Sequence, residues 1–323
     1  MDRVTALKSY QETVSIRIPE FRSGMEEYLL QHSQELEDLV KNAVDLLGKE
    51  MERKGKEYVS FLYFSLLKTD LIQGKNRFLF HGLDMRWYLD EEPVEVYVDA
   101  GTLLEPLRQV WGFMDENNGG YGGAVNRYDI QNIFFDEIGI YNNILCQILR
   151  YRLRDWEQKG IFSSIALAPY WVLKWGEYRD SSEILVRVDR TEKQADMWKK
   201  EIGKAAREPE TLVFGYWYKG EFEGNTLEGL DMRFTVFEEC RLKKITFKNC
   251  NMEGSRFSKS MLMECRFENC SLWGADFRSS GFEKGSFEGS ELTAAVFPAE
   301  SIPYLDISAE QLQALYIDRE ESK

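Results

Sequence analysis

Side chains suited to nucleophilic, acid–base or metal chemistry are scarce in this chain, which has two histidines and five cysteines among 323 residues. His32 falls on the apolar face of a predicted helix, where a histidine at the core boundary is the simplest interpretation. His81 follows a predicted strand and precedes Gly82, so it could line a cleft, and a catalytic couple with Cys146 is conceivable. The spacing of cysteines and histidines fits no zinc motif, so we expect no metal. Because the two histidines have no matched catalytic companions and the chain shows no cofactor motif, we also expect no catalytic residue and no cofactor.

A glycine-rich stretch from Asp115 to Gly123 is a second candidate, with the sequence DENNGGYGG. It lacks the GxGxxG and GxxxxGKS/T patterns of phosphate-binding loops, and no predicted strand precedes it. These features favour a mobile tip or lid over a phosphate cradle. Asp115, Glu116 and Tyr121 in this stretch are candidate contacts for a partner.

A pair of tryptophans is a third candidate. Trp171 and Trp175 lie two strand periods apart, so a strand would place both on one face. Core packing is the simplest interpretation, and an aromatic groove that binds a partner is the alternative.

Around these candidates, the most regular feature of the chain is an apolar residue at every fifth position from Phe222 to Phe297. A small residue stands two positions before most of them, and the positions between are mostly polar. Neither a helix of period 3.6 nor a strand of period 2 produces this spacing. A fixed repeat indicates stacked units, none of which can bury its apolar residue alone. The sixteen positions are Phe222, Leu227, Met232, Phe237, Leu242, Phe247, Met252, Phe257, Leu262, Phe267, Leu272, Phe277, Phe282, Phe287, Leu292 and Phe297.

The two six-residue segments Met252–Phe257 (MEGSRF) and Leu272–Phe277 (LWGADF) show the unit of this repeat. The pattern resembles the pentapeptide-repeat family, whose units read small–polar–Leu/Phe–polar–polar, over roughly a quarter of the chain. The resemblance implies a right-handed quadrilateral parallel β-helix with four units per coil and about four coils. Folding the series at twenty residues then stacks Phe237, Phe257 and Phe277 on one face.

The first 210 residues resemble no family and are predicted to form a mixed α+β domain. Residues 1–22 are expected to be irregular, with a short strand at Thr13–Ile18. A long helix follows, with Ser23 and Glu26 as a capping box and Gly55 at its end. Further helices are predicted at Glu57–Gln73, Leu103–Met114, Ile130–Gln158 and Thr191–Arg207, and strands at Arg77–Phe80, Arg86–Leu89, Val94–Val98, Trp171–Tyr178 and Glu183–Val188.

The predicted chain therefore has three parts: the α+β domain over 1–210, the β-helix over 211–300, and a cap helix with an acidic tail over 301–323. The cap helix is expected at Ser308–Leu315. Trp217 already lies on the five-residue register, so the last N-terminal elements are expected to cover the first coil.

The charge of the chain narrows its partners. The formal net charge is −14 with a sequence pI near 4.9, which disfavours binding of nucleic acid or anionic lipid through a basic face. Residues 221–300 hold 14 acidic and 10 basic side chains, a net charge of −4. We see no signal peptide in Met1–Arg22 and no apolar run of membrane length, so a cytoplasmic protein with reduced cysteines is expected.

These observations favour a non-enzymatic interaction or scaffold protein, in which the N-terminal domain sets partner specificity and the coil is a rigid docking surface. A protein partner is expected, and a homodimer through the C-terminal helix is a further option. Acidic side chains of the coil are candidate contacts, although lysines and arginines lie among them: Glu238, Glu239, Glu264 and Glu268.

Two alternatives stay open. The resemblance implies the first, protection of DNA gyrase or a related topoisomerase by an acidic rod shaped like DNA. Four coils at ~4.8 Å span only ~19 Å, about half a turn of B-DNA, which weakens this alternative. The second is an enzyme with its site in residues 1–210 and the coil as a docking arm.

Overall fold

The computed structural model describes residues 2–192, 197–205 and 207–319. The chain packs into two compact units, one ending at Arg187 and the other beginning at Val188. The first unit contains six helices and a five-stranded sheet. Its helices are α1 (Arg3–Ser15), α2 (Ile18–Gln31), α3 (Ser33–Lys54), α4 (Lys68–Ile72), α5 (Glu105–Glu116) and α6 (Arg127–Arg152). Its strands are β1 (Val59–Leu66), β2 (Arg77–Leu83), β3 (Val94–Asp99), β4 (Leu167–Glu177) and β5 (Ser182–Asp189).

The beginning of the chain is helical, so the predicted irregular segment with a strand at Thr13–Ile18 is wrong. Asp2 is the N-cap of helix α1, and its carboxylate accepts a hydrogen bond from the Thr5 amide at 3.0 Å. Ala6, Tyr10 and Val14 recur every four residues and are all buried, which is the spacing of a helix face.

The predicted single helix from Ser23 is also wrong in its start. Ser23 lies inside α2, and His32 interrupts the helix between the end of α2 and the start of α3. The predicted end is confirmed, because Gly55 takes a left-handed conformation with φ of 69°. The Lys56 amide there donates to the Met51 carbonyl at 2.9 Å, a common helix C-cap arrangement.

Glu57–Gln73 is a central strand followed by the short α4, and the predicted helix is wrong. The sheet order is β3-β2-β1-β4-β5, with β1 antiparallel to β2 and parallel to β4. A strand covered on both faces reads as an unbroken apolar run, which periodicity cannot tell from a buried helix. The segment Arg86–Leu89 is not a strand either, since Trp87–Leu89 forms a 3-10 turn between β2 and β3. The other predicted strands and the two helices α5 and α6 are present.

The second unit contains the coil and its two ends. Its helices are α7 (Met197–Ala205) and α8 (Ala309–Ala314). Helix α7 lies within the predicted helix Thr191–Arg207, of which positions 193–196 and 206 are outside the described residues. Short strands form the walls: β6 (Tyr216–Tyr218), β7 (Glu221–Glu223), β8 (Thr226–Glu228), β9 (Val236–Glu238), β10 (Arg241–Lys243), β11 (Thr246–Lys248), β12 (Arg256–Ser258), β13 (Met261–Met263), β14 (Arg266–Glu268), β15 (Gly281–Glu283), β16 (Gly285–Ser286), β17 (Val296–Pro298), β18 (Leu305–Asp306) and β19 (Tyr316–Asp318).

The twenty-residue stacking predicted from the sequence is confirmed. Strands of successive coils pair in parallel with an offset of twenty, as in Trp217 with Phe237 and Phe237 with Phe257. Two further walls stack in the same way, and single bridges at Asp231, Asn251 and Ser271 mark the fourth. The fold is a four-sided parallel β-helix.

The interior of the coil explains the small residue two positions before most of the apolar ones. Phe257 is fully buried and stacks on Phe237 and Phe277 at centroid distances of 4.9 and 4.7 Å. Small inward side chains bond to the coil below, as the Ser260 hydroxyl does to the Phe237 carbonyl at 2.9 Å. The Cys250 thiol likewise donates to the Leu227 carbonyl at 3.3 Å. The five cysteines are all buried, as expected for small core residues.

Both ends of the coil are covered. Trp198 of α7 packs on Trp217 and Phe222 with centroid distances of 4.6 and 4.5 Å, so the expected cover of the first coil is present. At the other end Ser308 caps α8 as predicted. The side-chain amide of Gln311 donates to the Phe287 and Ser290 carbonyls, both at 2.7 Å. These contacts satisfy backbone groups that an open solenoid end would leave unpaired.

Candidate functional site

The outer face of the first unit's sheet carries a row of polar side chains across four strands. Strand register places Glu95 of β3 opposite His81 of β2, His81 opposite Tyr63 of β1, and Tyr63 beside Lys174 of β4. The Tyr63 and His81 rings are stacked, with centroids 5.0 Å apart and planes 9° apart. The Lys174 ammonium lies 5.9 Å from the Tyr63 ring centroid. Alternation along the strands therefore puts these side chains on the face opposite the core.

A pocket of about 210 Å³ lies over this row. Aromatic side chains from three segments line it: Tyr63 and His81 from the sheet, Trp87 and Tyr88 from the β2–β3 connection, and Tyr178 from the turn after β4. The predicted cleft position of His81 is confirmed, and its ring meets Tyr178 edge-on at 6.3 Å. Since Cys146 is buried in α6 and is absent from the lining, the pocket contains no thiol nucleophile.

His81 is a buried polar side chain of this pocket. The residue is 8% exposed, and its Nδ1 atom has no hydrogen-bond partner among the described residues. Burial, with a smaller contribution from the Arg179 guanidinium, lowers the pKa of the His81 imidazole to about 4. The ring is therefore neutral at pH 7 and presents an unsatisfied nitrogen.

We expect the His81 ring to titrate near pH 4, well below the ordinary histidine value of 6.5. The unfolded ring takes up a proton near pH 6.5 and the folded ring does not, so its contribution to stability is present above pH 6.5. That contribution, about 3 kcal/mol, is lost as the pH falls through this window to about 4. NMR titration of the two histidine rings measures the pKa, with His81→Phe assigning the signals. A midpoint for His81 at 6.5 or above would contradict this expectation.

The loop beside the pocket exposes four apolar side chains within five residues: Met85 (53% exposed), Trp87 (44%), Tyr88 (62%) and Leu89 (80%). Ion pairs at its base hold it in place. Asp90, whose side chain is fully buried, accepts a hydrogen bond from the Asp84 amide at 2.9 Å and pairs with Lys56 at 2.5 Å. At the tip, the Trp87 indole donates to the Tyr63 hydroxyl at 2.6 Å. The loop is thus a firmly held apolar surface, which we call the apolar loop (residues 85–89).

Sequence reasoning missed the apolar loop, because Arg86–Leu89 was predicted to be a strand with its aromatic residues in the sheet. The available signal was the DEEP sequence at Asp90–Pro93, which starts a new turn directly after the aromatic residues.

Trp171 and Trp175 pack in the core, which is the simplest interpretation of their spacing, and the alternative of an aromatic groove is wrong. The two side chains are 2% and 0% exposed, on the core face of β4. Trp175 stacks on Phe64 at 4.9 Å, and its indole donates to the Asn142 side chain at 3.0 Å. Both tryptophans therefore stabilise the core and cannot contact a partner.

The glycine-rich stretch contains more regular secondary structure than the predicted loop. Helix α5 continues through Asp115 to Glu116, and a 3-10 turn covers Asn117–Tyr121. Tyr121 is fixed edge-on to Tyr10 at 5.5 Å. Asp115 and Glu116 are exposed, so they stay available as partner contacts, although none of the three lines the pocket.

Four carboxylates of the coil were candidate partner contacts. One of them, Glu238, is buried, so the prediction that it contacts a partner is wrong. It accepts two hydrogen bonds from Arg190 at 2.9 and 2.7 Å and one from the Tyr216 hydroxyl. Glu239 lies 3.6 Å from Lys219, while Glu264 and Glu268 stand on the outer wall.

The walls of the coil mix charges of both signs. Lys243 pairs with Glu223 at 2.8 Å and Lys248 with Glu228 at 3.0 Å. Trp273 is the largest exposed apolar side chain of the described coil, at 50%. The part of the chain that the structure describes has no cluster of three His, Cys, Asp or Glu side chains suited to a metal, and none of its helices has the length and apolarity to cross a membrane.

The coil matches models of one protein family. Residues 216–277 match the family model described as Pentapeptide repeat region, and residues 260–297 match the one described as Pentapeptide repeats (8 copies). Among curated proteins, none matches the chain.

Solved structures of repeat proteins are similar to part of the chain. HetL, a pentapeptide repeat protein involved in heterocyst differentiation regulation from the cyanobacterium Nostoc sp. strain PCC 7120, is 19% identical; the match covers 30% of this chain and 44% of HetL, with a TM-score of 0.24. QnrB1, a plasmid-mediated fluoroquinolone resistance protein, is 16% identical; the match covers 26% of this chain and 52% of QnrB1, with a TM-score of 0.12. The protein alr5209, a pentapeptide repeat protein from Nostoc PCC 7120, is 14% identical; the match covers 37% of this chain and 94% of alr5209, with a TM-score of 0.23. The chain thus spans about half the length of HetL and QnrB1.

Proposed function

Residues 216–297 form a pentapeptide-repeat region, and from this premise we propose that the chain is an interaction protein that captures a protein partner and catalyses no reaction. In this proposal the first unit sets the specificity and the coil is a rigid docking surface. The observation that carries it is the apolar loop, which holds Met85, Trp87, Tyr88 and Leu89 in solvent. Soluble proteins seldom expose such clusters except where they bind something.

The composition and rigidity of the apolar loop fit a recognition surface. Tryptophan and tyrosine dominate the energetically important positions of protein interfaces, because they bury a large area and lose few rotamers. The ion pairs of Asp84 and Asp90 with Lys56 and the hydrogen bond from Trp87 fix the loop before binding. A partner that docks there pays little for ordering the loop.

The charges and packing of the chain support this function over the two alternatives. A topoisomerase-protecting rod needs a continuous acidic surface, whereas Lys243 and Lys248 neutralise wall carboxylates of this coil. An enzyme needs an activated group. Burial raises the pKa of the Cys146 thiol to about 12, and the lining of the pocket around His81 contains no cysteine.

Capture of a partner from cell lysate by the full-length protein tests the proposal. The double variant Tyr88→Ala/Leu89→Ala should lose most of the partner, by about tenfold or more, because it removes two exposed anchors without touching the core. Tyr128→Ala/Ile16→Ala is the matched control, since these side chains are 68% and 78% exposed outside the loop. The control should capture as well as the wild type.

Charge reversal of the coil separates this proposal from topoisomerase protection. Replacing Glu239, Glu264 and Glu268 by lysine should leave capture nearly unchanged. If reversal abolishes capture while the loop variant retains it, and the captured protein is a topoisomerase subunit, the coil and not the first unit recognises the partner. That result would overturn the proposal.

A further inference from the structure

We propose that the aromatic pocket of the first unit binds an organic cation, an alkylammonium or guanidinium group, between its aromatic rings and the Glu95 carboxylate. The inference rests on the same surface as the proposed function, but it concerns the chemistry of the pocket and requires no particular partner. Rings and carboxylates around a small volume are the set of groups that proteins use to hold such cations.

The first support is the excess of acidic groups in the lining, where four carboxylates face one guanidinium. Asp90 is neutralised by Lys56 at 2.5 Å. Lys68 pairs with Glu177 and lies 3.5 Å from Asp180. Glu95 differs from them, because it is exposed and has no ion-pair partner within the described residues. The pocket therefore keeps one carboxylate whose charge is not compensated.

The second support is the set of aromatic faces. Tyr63 and Tyr178 already carry cations of the protein itself, since Lys174 lies over the Tyr63 ring at 5.9 Å and the Arg179 guanidinium over the Tyr178 ring at 5.2 Å. Trp87 and Tyr88 line the mouth and are about half exposed or more. A ligand cation can use their faces and gain the attraction of the ring quadrupole.

The third support is His81. Its neutral ring does not repel a cation, and its buried Nδ1 has no partner within the described chain. In the neutral tautomer that carries its proton on Nε2, Nδ1 is an acceptor, and a ligand that donates an N–H to it would satisfy a nitrogen whose burial is otherwise unfavourable. The hydrogen bond to Nδ1 would favour a primary ammonium or a guanidinium, which have N–H groups, over a quaternary ammonium, which has none.

Arg179 is the basic side chain among the lining residues of the pocket, and it supplies a test with a defined sign. Its guanidinium lines the pocket, is exposed at the tip of the turn after β4, and repels an incoming cation. Replacing it by glutamine should tighten cation binding, whereas replacing Glu95 by glutamine should weaken it.

Calorimetric titration of the pure full-length protein at low salt tests the inference. The probes are choline, its uncharged isostere 3,3-dimethylbutan-1-ol, and Nα-acetyl-lysine methylamide. We expect at least one of the two cations to bind with a dissociation constant of ~1 mM or below and the neutral isostere to bind about tenfold more weakly. Binding of choline alone indicates a free quaternary ammonium ligand, and binding of the blocked lysine alone indicates a side chain of the partner.

Variants then locate the binding site. Glu95→Gln should weaken binding of a bound cation about three- to tenfold, and Arg179→Gln should strengthen it by a similar factor. His81→Phe keeps the ring stack on Tyr63 and removes Nδ1, so it should weaken binding of the blocked lysine and leave that of choline unchanged. Glu91→Gln, an exposed carboxylate of the same connection outside the pocket lining, is the control and should change nothing.

The inference is overturned if neither cation binds at ~10 mM, if the neutral isostere binds as tightly as choline, or if Glu95→Gln and Arg179→Gln leave the affinity unchanged. Because the probes are small molecules and the protein is pure, such a failure leaves capture by Tyr88 and Leu89 unaffected.

Discussion

Replacing Phe257 with alanine is expected to lower the free energy of unfolding of the coil by about 3–5 kcal/mol. Its ring is fully buried between Phe237 and Phe277, with interplanar angles of 8° and 9°, and meets Phe267 edge-on at 6.0 Å. The coils above and below are fixed by parallel strand pairing, so they cannot collapse into the space that the ring leaves. The loss should therefore lie in the upper part of the range.

Native-state hydrogen exchange of the strand amides in β9 and β12 measures this loss within the coil itself. Met261→Ala is the control, because Met261 lies on the wall of the same coil and is 41% exposed. A surface change of this kind should stay within about 0.5 kcal/mol. Unchanged protection in Phe257→Ala would show that the phenylalanine stack does not stabilise the coil.

The second large effect is expected from removing the cover of the first coil. A fragment of residues 211–323 lacks α7, so it exposes the rings that Trp198 covers: Trp217, Phe222 and Phe237. It also lacks Arg190 and leaves the buried Glu238 carboxylate without its cation, a loss that costs about 3–5 kcal/mol where it has been measured. We expect this fragment to aggregate or to lack cooperative unfolding.

A fragment of residues 188–323 is the matched control, because it retains Arg190 and α7 and corresponds to the second compact unit. We expect it to be soluble and to unfold cooperatively. Sedimentation and thermal unfolding followed by circular dichroism compare the two fragments. If 211–323 unfolds cooperatively at the same temperature as 188–323, the N-terminal cover contributes little and the prediction is wrong.

The sequence by itself determined the coil, its register and its caps. Each apolar residue contacts the one twenty positions away, so a strict five-residue period specifies every wall and every neighbour of Phe257. Local chemistry was equally decisive at helix ends, where Gly55 and Ser308 behave as their residue types require. At the helix ends the deciding interaction joins residues a few positions apart, and in the coil it joins residues at a constant spacing, so both can be predicted from the sequence.

Only the tertiary structure decided the first unit. Strand β1 read as a helix because burial on both faces removes the alternation that marks a strand. The sequence left both a core and a surface interpretation open for Trp171 and Trp175 and made Glu238 a candidate contact, and packing buries all three. Their burial depends on which segments cover them, and no local pattern contains that information.

The candidate site shows the same dependence most clearly. Its pocket joins Tyr63 of β1, His81 of β2, Tyr88 of the connection and Tyr178 after β4, which lie up to 115 positions apart in the sequence. Tyr63 and His81 stack because antiparallel pairing sets them opposite each other, and parallel pairing with β4 brings the turn of Tyr178 to the same edge. The residue types were visible in the chain, but strand pairing alone brought them around one cavity.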